Sequence, residues 1–87
     1  MEDEYGPEEP ICEEVQKYAV DMKTEIEGKM GQIFTLFVPV SYRSKMEAGR
    51  SYLVRINVDN NKTILAKIHK YTSWDGGDIN VWEAEWA

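Results

Sequence analysis

The chain has almost nothing from which to build a covalent or metal-bound framework. Its 87 residues include one cysteine, Cys12, and one histidine, His69. A lone thiol makes no internal disulfide, which fits a reducing compartment, and the clustered Cys and His ligands that zinc prefers are missing. Basic charge is scarce too: ten Lys and Arg stand against sixteen Asp and Glu, a formal charge of −6. A polyanion partner needs cations clustered along its phosphates, so the charge balance speaks against nucleic acid. No apolar run approaches the roughly 18 residues of a membrane span. The stretch Met1-Glu2-Asp3-Glu4-Tyr5 also lacks the basic start and apolar run of a secretion signal. The expectation is a soluble cytoplasmic protein. Asn61-Lys62-Thr63 matches the glycosylation pattern, but outside the secretory pathway it reads as a turn.

What is present suffices for one small domain. The hydrophobic share is 43% and the charged share 30%, a balance that supports a folded core rather than disorder. Residues 1–10 carry five acids and two prolines, with Tyr5 their main apolar group, which predicts an extended, flexible N-terminal arm. From Ile11 the pattern changes, and residues 11–87 read as a single domain. Ile11, Val15, Tyr18, Ala19, Met22 and Ile26 recur at spacings of three and four, one stripe of an amphipathic helix running to about Lys29. Gly28 and Gly31 are its stop signals.

Beyond the helix the period changes to two. In residues 33–43, Phe34, Leu36, Val38, Val40 and Tyr42 alternate with Thr35, Phe37, Pro39, Ser41 and Arg43, and Pro39 predicts a bulge or an edge. Tyr52, Val54, Ile56 and Val58 mark a second strand, with a hairpin tip ending in Ala48-Gly49 before it. A tight turn at Asp59-Asn60-Asn61-Lys62 leads to a third strand, with Ile64, Ala66 and Ile68 on one side. Ser73-Trp74-Asp75-Gly76-Gly77 breaks the pattern, and Ile79 to Trp86 forms the last strand. One helix followed by four antiparallel strands predicts an α+β domain with the helix laid across one sheet face.

Catalysis finds little support. Cys12 reads as a small, partly buried residue near the helix start, and His69 as a sheet-surface side chain, so nucleophile and base are not paired. The sixteen carboxylates lie mostly in the arm and on the outer helix face, where solvation accounts for them, and no Gly-rich phosphate loop accompanies them. A non-enzyme without cofactor or metal is the expectation. Three features call for a partner: the arm with Gly6, the tip at Lys45-Met46-Glu47-Ala48-Gly49, and Trp74 on a second loop. The two loops leave the same end of the predicted sheet, and a large aromatic on a loop is of the kind that dominates interfaces.

At these residues the chain resembles the stefins, single-domain cystatins without disulfides or signal peptides. Val40-Ser41-Tyr42-Arg43-Ser44-Lys45-Met46-Glu47-Ala48-Gly49-Arg50-Ser51-Tyr52 is similar to the stefin run in which Gln-Val-Val-Ala-Gly precedes Thr-Asn-Tyr. The resemblance implies the cystatin-like fold, one α-helix packed on a curved four- to five-stranded antiparallel sheet. It also implies tight, reversible inhibition of papain-like cysteine proteases of the cathepsin type. A wedge would enter the protease cleft: Tyr5 and Gly6 from the arm, Lys45 to Gly49 over the catalytic thiol, and Ser73 and Trp74 where relatives carry Pro-Trp or Pro-His. Lys45, Met46 and Glu47 stand where the family has Gln, Val and Val. The alternative is therefore a cystatin-fold interaction protein with weakened or lost inhibition. A monomer able to exchange elements into a swapped dimer is the further expectation.

Overall fold

The computed structural model describes residues 5–71 and 77–87. Its elements run β1 (Glu9–Pro10), α1 (Glu13–Asp21), α2 (Lys23–Met30), β2 (Phe37–Met46), β3 (Gly49–Val58), a short 3-10 turn (Asp59–Asn61), β4 (Lys62–Tyr71) and β5 (Ile79–Trp86). The strands form one five-stranded antiparallel sheet in sequence order, with the helical segment on one face. This is the expected cystatin-like α+β architecture.

The helical stripe behaves as its spacing predicts. Val15, Ala19 and Ile26 are buried, with Ile11, Tyr18 and Met22 packed partly against the same core. Regular helix starts at Glu13 rather than Ile11, because Cys12 is extended and serves as N-cap. At Met22 the backbone departs from helical values, yet Met22 N donates to Tyr18 O and Ile26 N to Met22 O, so α1 and α2 continue one another across a small irregularity. Gly31, at φ 73, is the stop; Gly28 lies inside α2.

Opposite the helix, Tyr52, Val54, Ile56, Val58, Ile64, Ala66, Ile68 and Val81 complete the core. Most are aliphatic, and several are β-branched, suited to a pleated, half-covered surface. The alternation predicted for 33–43 holds less well. Phe34 is buried and meets Trp86 edge-on at 6.0 Å, but Leu36 and Val38 are exposed and Pro39 is buried. Two causes account for this. Strand β2 begins only at Phe37, and its register against β3 shifts between Pro39 and Ser41, the bulge that Pro39 predicts, which reverses the facing of residues on either side.

Two carboxylates fasten the loop from α2 into β2. Glu27 accepts the backbone N–H of Phe34 at 2.9 Å, and Asp59 accepts those of Thr35 and Leu36 at 2.9 and 2.6 Å. Both are held below their ordinary values. For Glu27 the Phe34 N–H is the main cause, with Lys23 adding to it; for Asp59 the Thr35 and Leu36 N–H groups are the causes.

Candidate functional site

The tip is the reversal between β2 and β3. Register pairs Lys45 with Ser51 and Met46 with Arg50, and leaves Glu47 and Ala48 between the strands. Met46 is 71% exposed at the apex, a large apolar group with no partner in its own core. Ala48 adopts φ 52, a left-handed conformation that an L-residue with a Cβ rarely takes.

Lys45 and Glu47, the two charged members of the tip, face one another at 3.6 Å. The Lys45 side chain is largely covered, while that of Glu47 is half exposed. Lys45 Nζ also lies 4.7 Å from the centre of the Tyr5 ring, a cation–π contact. Three of the residues singled out from sequence therefore form one chain of contacts, Tyr5 to Lys45 to Glu47. The tip carries both signs of charge and no net excess.

The arm residues 5–10 lie along β2. Gly6 N donates to Ser44 O at 2.9 Å, Arg43 Nε to Gly6 O at 2.8 Å and Arg43 Nη2 to Tyr5 O at 3.1 Å. Ser41 Oγ donates to Glu8, whose carboxylate also faces Arg55 at 3.7 Å. Glu9 and Pro10 pair with Tyr42 and Ser41, so the arm is an added edge strand, and Tyr5 is only 6% exposed. A Cβ built on Gly6 would stand 3.4 Å from Ser44 O, so the free protein nearly has room for a side chain there.

Ser73 and Trp74 lie outside the described residues. The strand ends that flank them are placed: Tyr71 pairs with Gly49, and Tyr71 N donates to Asp78 O at 2.8 Å. The connection from β4 to β5 thus starts and finishes beside the tip. Gly77, at φ 78, closes it so tightly that a Cβ would fall 1.7 Å from Tyr71 O.

His69 is the residue sequence reasoning misplaced. Expected on the sheet surface, it is fully buried, with Nε2 at 3.1 Å from Ala48 O and Nδ1 at 3.4 Å from Ser51 Oγ. Trp82 stacks on its ring at 4.2 Å with 9° between planes, and Tyr71 meets it edge-on at 4.4 Å. The register of β4 with β5 shifts so that Lys67 faces Glu83 and Ile68 faces Val81, which leaves Trp82 as the extra residue of a bulge. Such an insertion re-aims a side chain, and no periodic pattern announces it. Cys12, expected to be partly buried, is instead exposed, because it sits at the helix N-cap ahead of the buried stripe, its Sγ 3.8 Å from the Tyr42 hydroxyl. The sole thiol and sole imidazole thus have separate partners. Among the described residues no three His, Cys, Asp or Glu side chains gather as a metal site.

Comparison with known proteins finds cystatins and stefins among the relatives. Cystatin-A of Felis catus is 30% identical over 61 residues, which cover 70% of this chain and 62% of that protein. Stefin-C of Bos taurus is 31% identical over 55 residues, 63% of this chain and 54% of the relative. The chain is stefin-like. A third relative, leukocyte cysteine proteinase inhibitor 1 of Sus scrofa, is 27% identical over 59 residues, covering 68% of the stefin-like chain and 57% of its own length. The chain spans about three fifths of the length of the relatives it matches. No family model matches it. No helix among the described residues of the stefin-like chain is long and apolar enough to cross a membrane.

Proposed function

We propose that this protein is a cytoplasmic, reversible, tight-binding inhibitor of papain-like cysteine proteases of the cathepsin type, and not an enzyme. The observation that carries the reading is the tip itself. Met46 projects at the apex while Glu47, the residue least suited to a closed interface, already faces Lys45. An unpaired carboxylate driven into an interface would cost several kcal/mol, and a partner supplied by the same hairpin offsets part of that cost. The likeness to a protein named as a cysteine proteinase inhibitor supports the same reading. In it, residues 45–49 cover the catalytic thiol without offering a cleavable bond, Tyr5 and Gly6 follow the substrate groove, and Ser73 and Trp74 complete the wedge. A preformed wedge loses little conformational freedom on binding and reaches standard interface size from short segments.

Titration of papain and several lysosomal cathepsins with the purified protein is the direct test, and stoichiometric, reversible loss of activity is the expected result. Gly6→Ala should leave the fold intact yet weaken inhibition, because the free protein nearly accommodates the methyl. Replacing Trp74 with Ala should weaken inhibition too.

One observation favours a second reading, a cystatin-fold interaction protein that has lost inhibition. Tyr5, which the wedge would offer to an apolar subsite, is buried against its own domain. Absence of any effect on those proteases at micromolar protein would decide for this alternative. In either case the free chain is proposed as a monomer that can swap elements through the tip, since opening the hairpin would relieve Ala48. Size-exclusion chromatography after mild heating would show the dimer.

A further inference from the structure

His69 has an arrangement that core packing by itself does not require. A buried neutral imidazole needs a partner for its donor and one for its acceptor, and one of these is supplied by the tip: Nε2 is directed at the carbonyl of Ala48, the residue at φ 52. Non-glycine residues hold such conformations only where surrounding structure over-determines them. A carbonyl oxygen only accepts, so the contact requires a proton on Nε2. Nδ1 is then free to accept from the buried Ser51 hydroxyl, and Ser51 stands directly opposite His69 in the β3–β4 register. Trp82, turned onto the ring by the β5 bulge, fixes the plane of the imidazole, and its own Nε1 donates to the Tyr71 hydroxyl at 3.2 Å.

We infer that His69 is a positioning residue for the tip. Its Nε2–H holds the Ala48 carbonyl against β4 and thereby keeps Met46 and Glu47 in the conformation presented to a partner. The chain of support runs from the β5 bulge through Trp82 and His69 to Ala48, so a residue of the last strand sets the shape of the first hairpin. The tautomer and the anchoring of Ala48 stand on geometry; the consequence for inhibition rests on the proposed protease reading.

Because His69 is the sole imidazole, long-range nitrogen NMR of uniformly labelled protein reports on it without ambiguity. The expected spectrum shows a protonated Nε2, with a coupling across the hydrogen bond to the Ala48 carbonyl carbon. An Nδ1–H tautomer with a bare Nε2 would overturn the inference, whatever the protein does to proteases. The functional arm compares His69→Phe, which keeps an aromatic ring for Trp82 but lacks the donor, with His69→Gln, whose amide restores a donor. His69→Phe should weaken inhibition about tenfold, the loss of one well-placed hydrogen bond, and His69→Gln should recover part of it. Should His69→Phe fold poorly, His69→Phe with Ser51→Ala removes the stranded hydroxyl and repeats the test. Unchanged inhibition in the folded Phe variant would overturn the positioning role. Wild-type protein that inhibits nothing yet shows the bonded Nε2–H would sink the protease reading and leave the anchoring standing.

Discussion

At one end of the sheet Asp59–Asn61 links β3 to β4 with Asn60 at φ 63 and Asn61 at φ 58, while at the other the tip turns through Ala48 at φ 52. Asparagine tolerates the left-handed region better than other residues with a Cβ, and the Lys62 N–H closes this reversal onto Asp59 O. Alanine has no such tolerance, and the tip takes a contact from His69 on β4. The far end is fastened outward as well, Asp59 holding the Thr35 and Leu36 N–H groups. One end places asparagines at its left-handed positions; the other places an alanine there and adds a contact from β4 to the tip's own bond from Glu47 N to Gly49 O at 3.0 Å. The tip thus presents Met46 exposed on a hairpin held by the Lys45–Glu47 pair and by the contact from His69.

The comparison can be broken most severely at Gly77, which closes the β4–β5 connection beside the tip. Gly77→Ala combines a positive φ with a Cβ 1.7 Å from Tyr71 O, and should destabilise by about 3 kcal/mol, read as a lowered urea midpoint. Ala48→Val places a β-branched residue in the left-handed region and should cost about 2 kcal/mol, with inhibition reduced in parallel. Asn60→Ala at the opposite end should cost about 1 kcal/mol and leave inhibition unchanged. Loss of inhibition in that variant would show that the two ends are not independent. A double-mutant cycle with Lys45→Ala and Glu47→Ala should give a coupling of about 0.5 kcal/mol, because the pair is only partly covered.

The last test concerns bonds that acid removes. Asp59 and Glu27 titrate below their ordinary values of 3.8 and 4.5 when folded. Their contribution is therefore present above the unfolded values and lost as pH falls through the lower folded ones. Thermal melts should drop below about pH 4.5, with the wild type losing more than Asp59→Asn does.

Much of the architecture was legible from periodicity. The stripe through Val15, Ala19 and Ile26, and the alternation through Val54, Ile56, Ile64 and Ile68, state which faces are apolar, and a hydrophobic face has few places to go in a domain this small. The tip was legible because Ala48-Gly49 interrupts that alternation. The contacts of His69 were not, because they depend on a bulge that turns Trp82 and on a register that sets His69 across from Ser51. Nor did the run from Phe34 to Tyr42 predict its own facing, since one bulged residue exchanges inside for outside.

By itself the sequence determined the helix, the strand order, the acidic surface and the identity of the tip, because each follows from local spacing and composition. The tertiary structure decided that Tyr5, Lys45 and Glu47 touch, that residues 5–10 lie along β2, and that the tip leans on His69. Apart from Lys45 and Glu47, which are near neighbours in the chain, those are contacts between residues 18 to 40 positions apart, set by strand register and bulges.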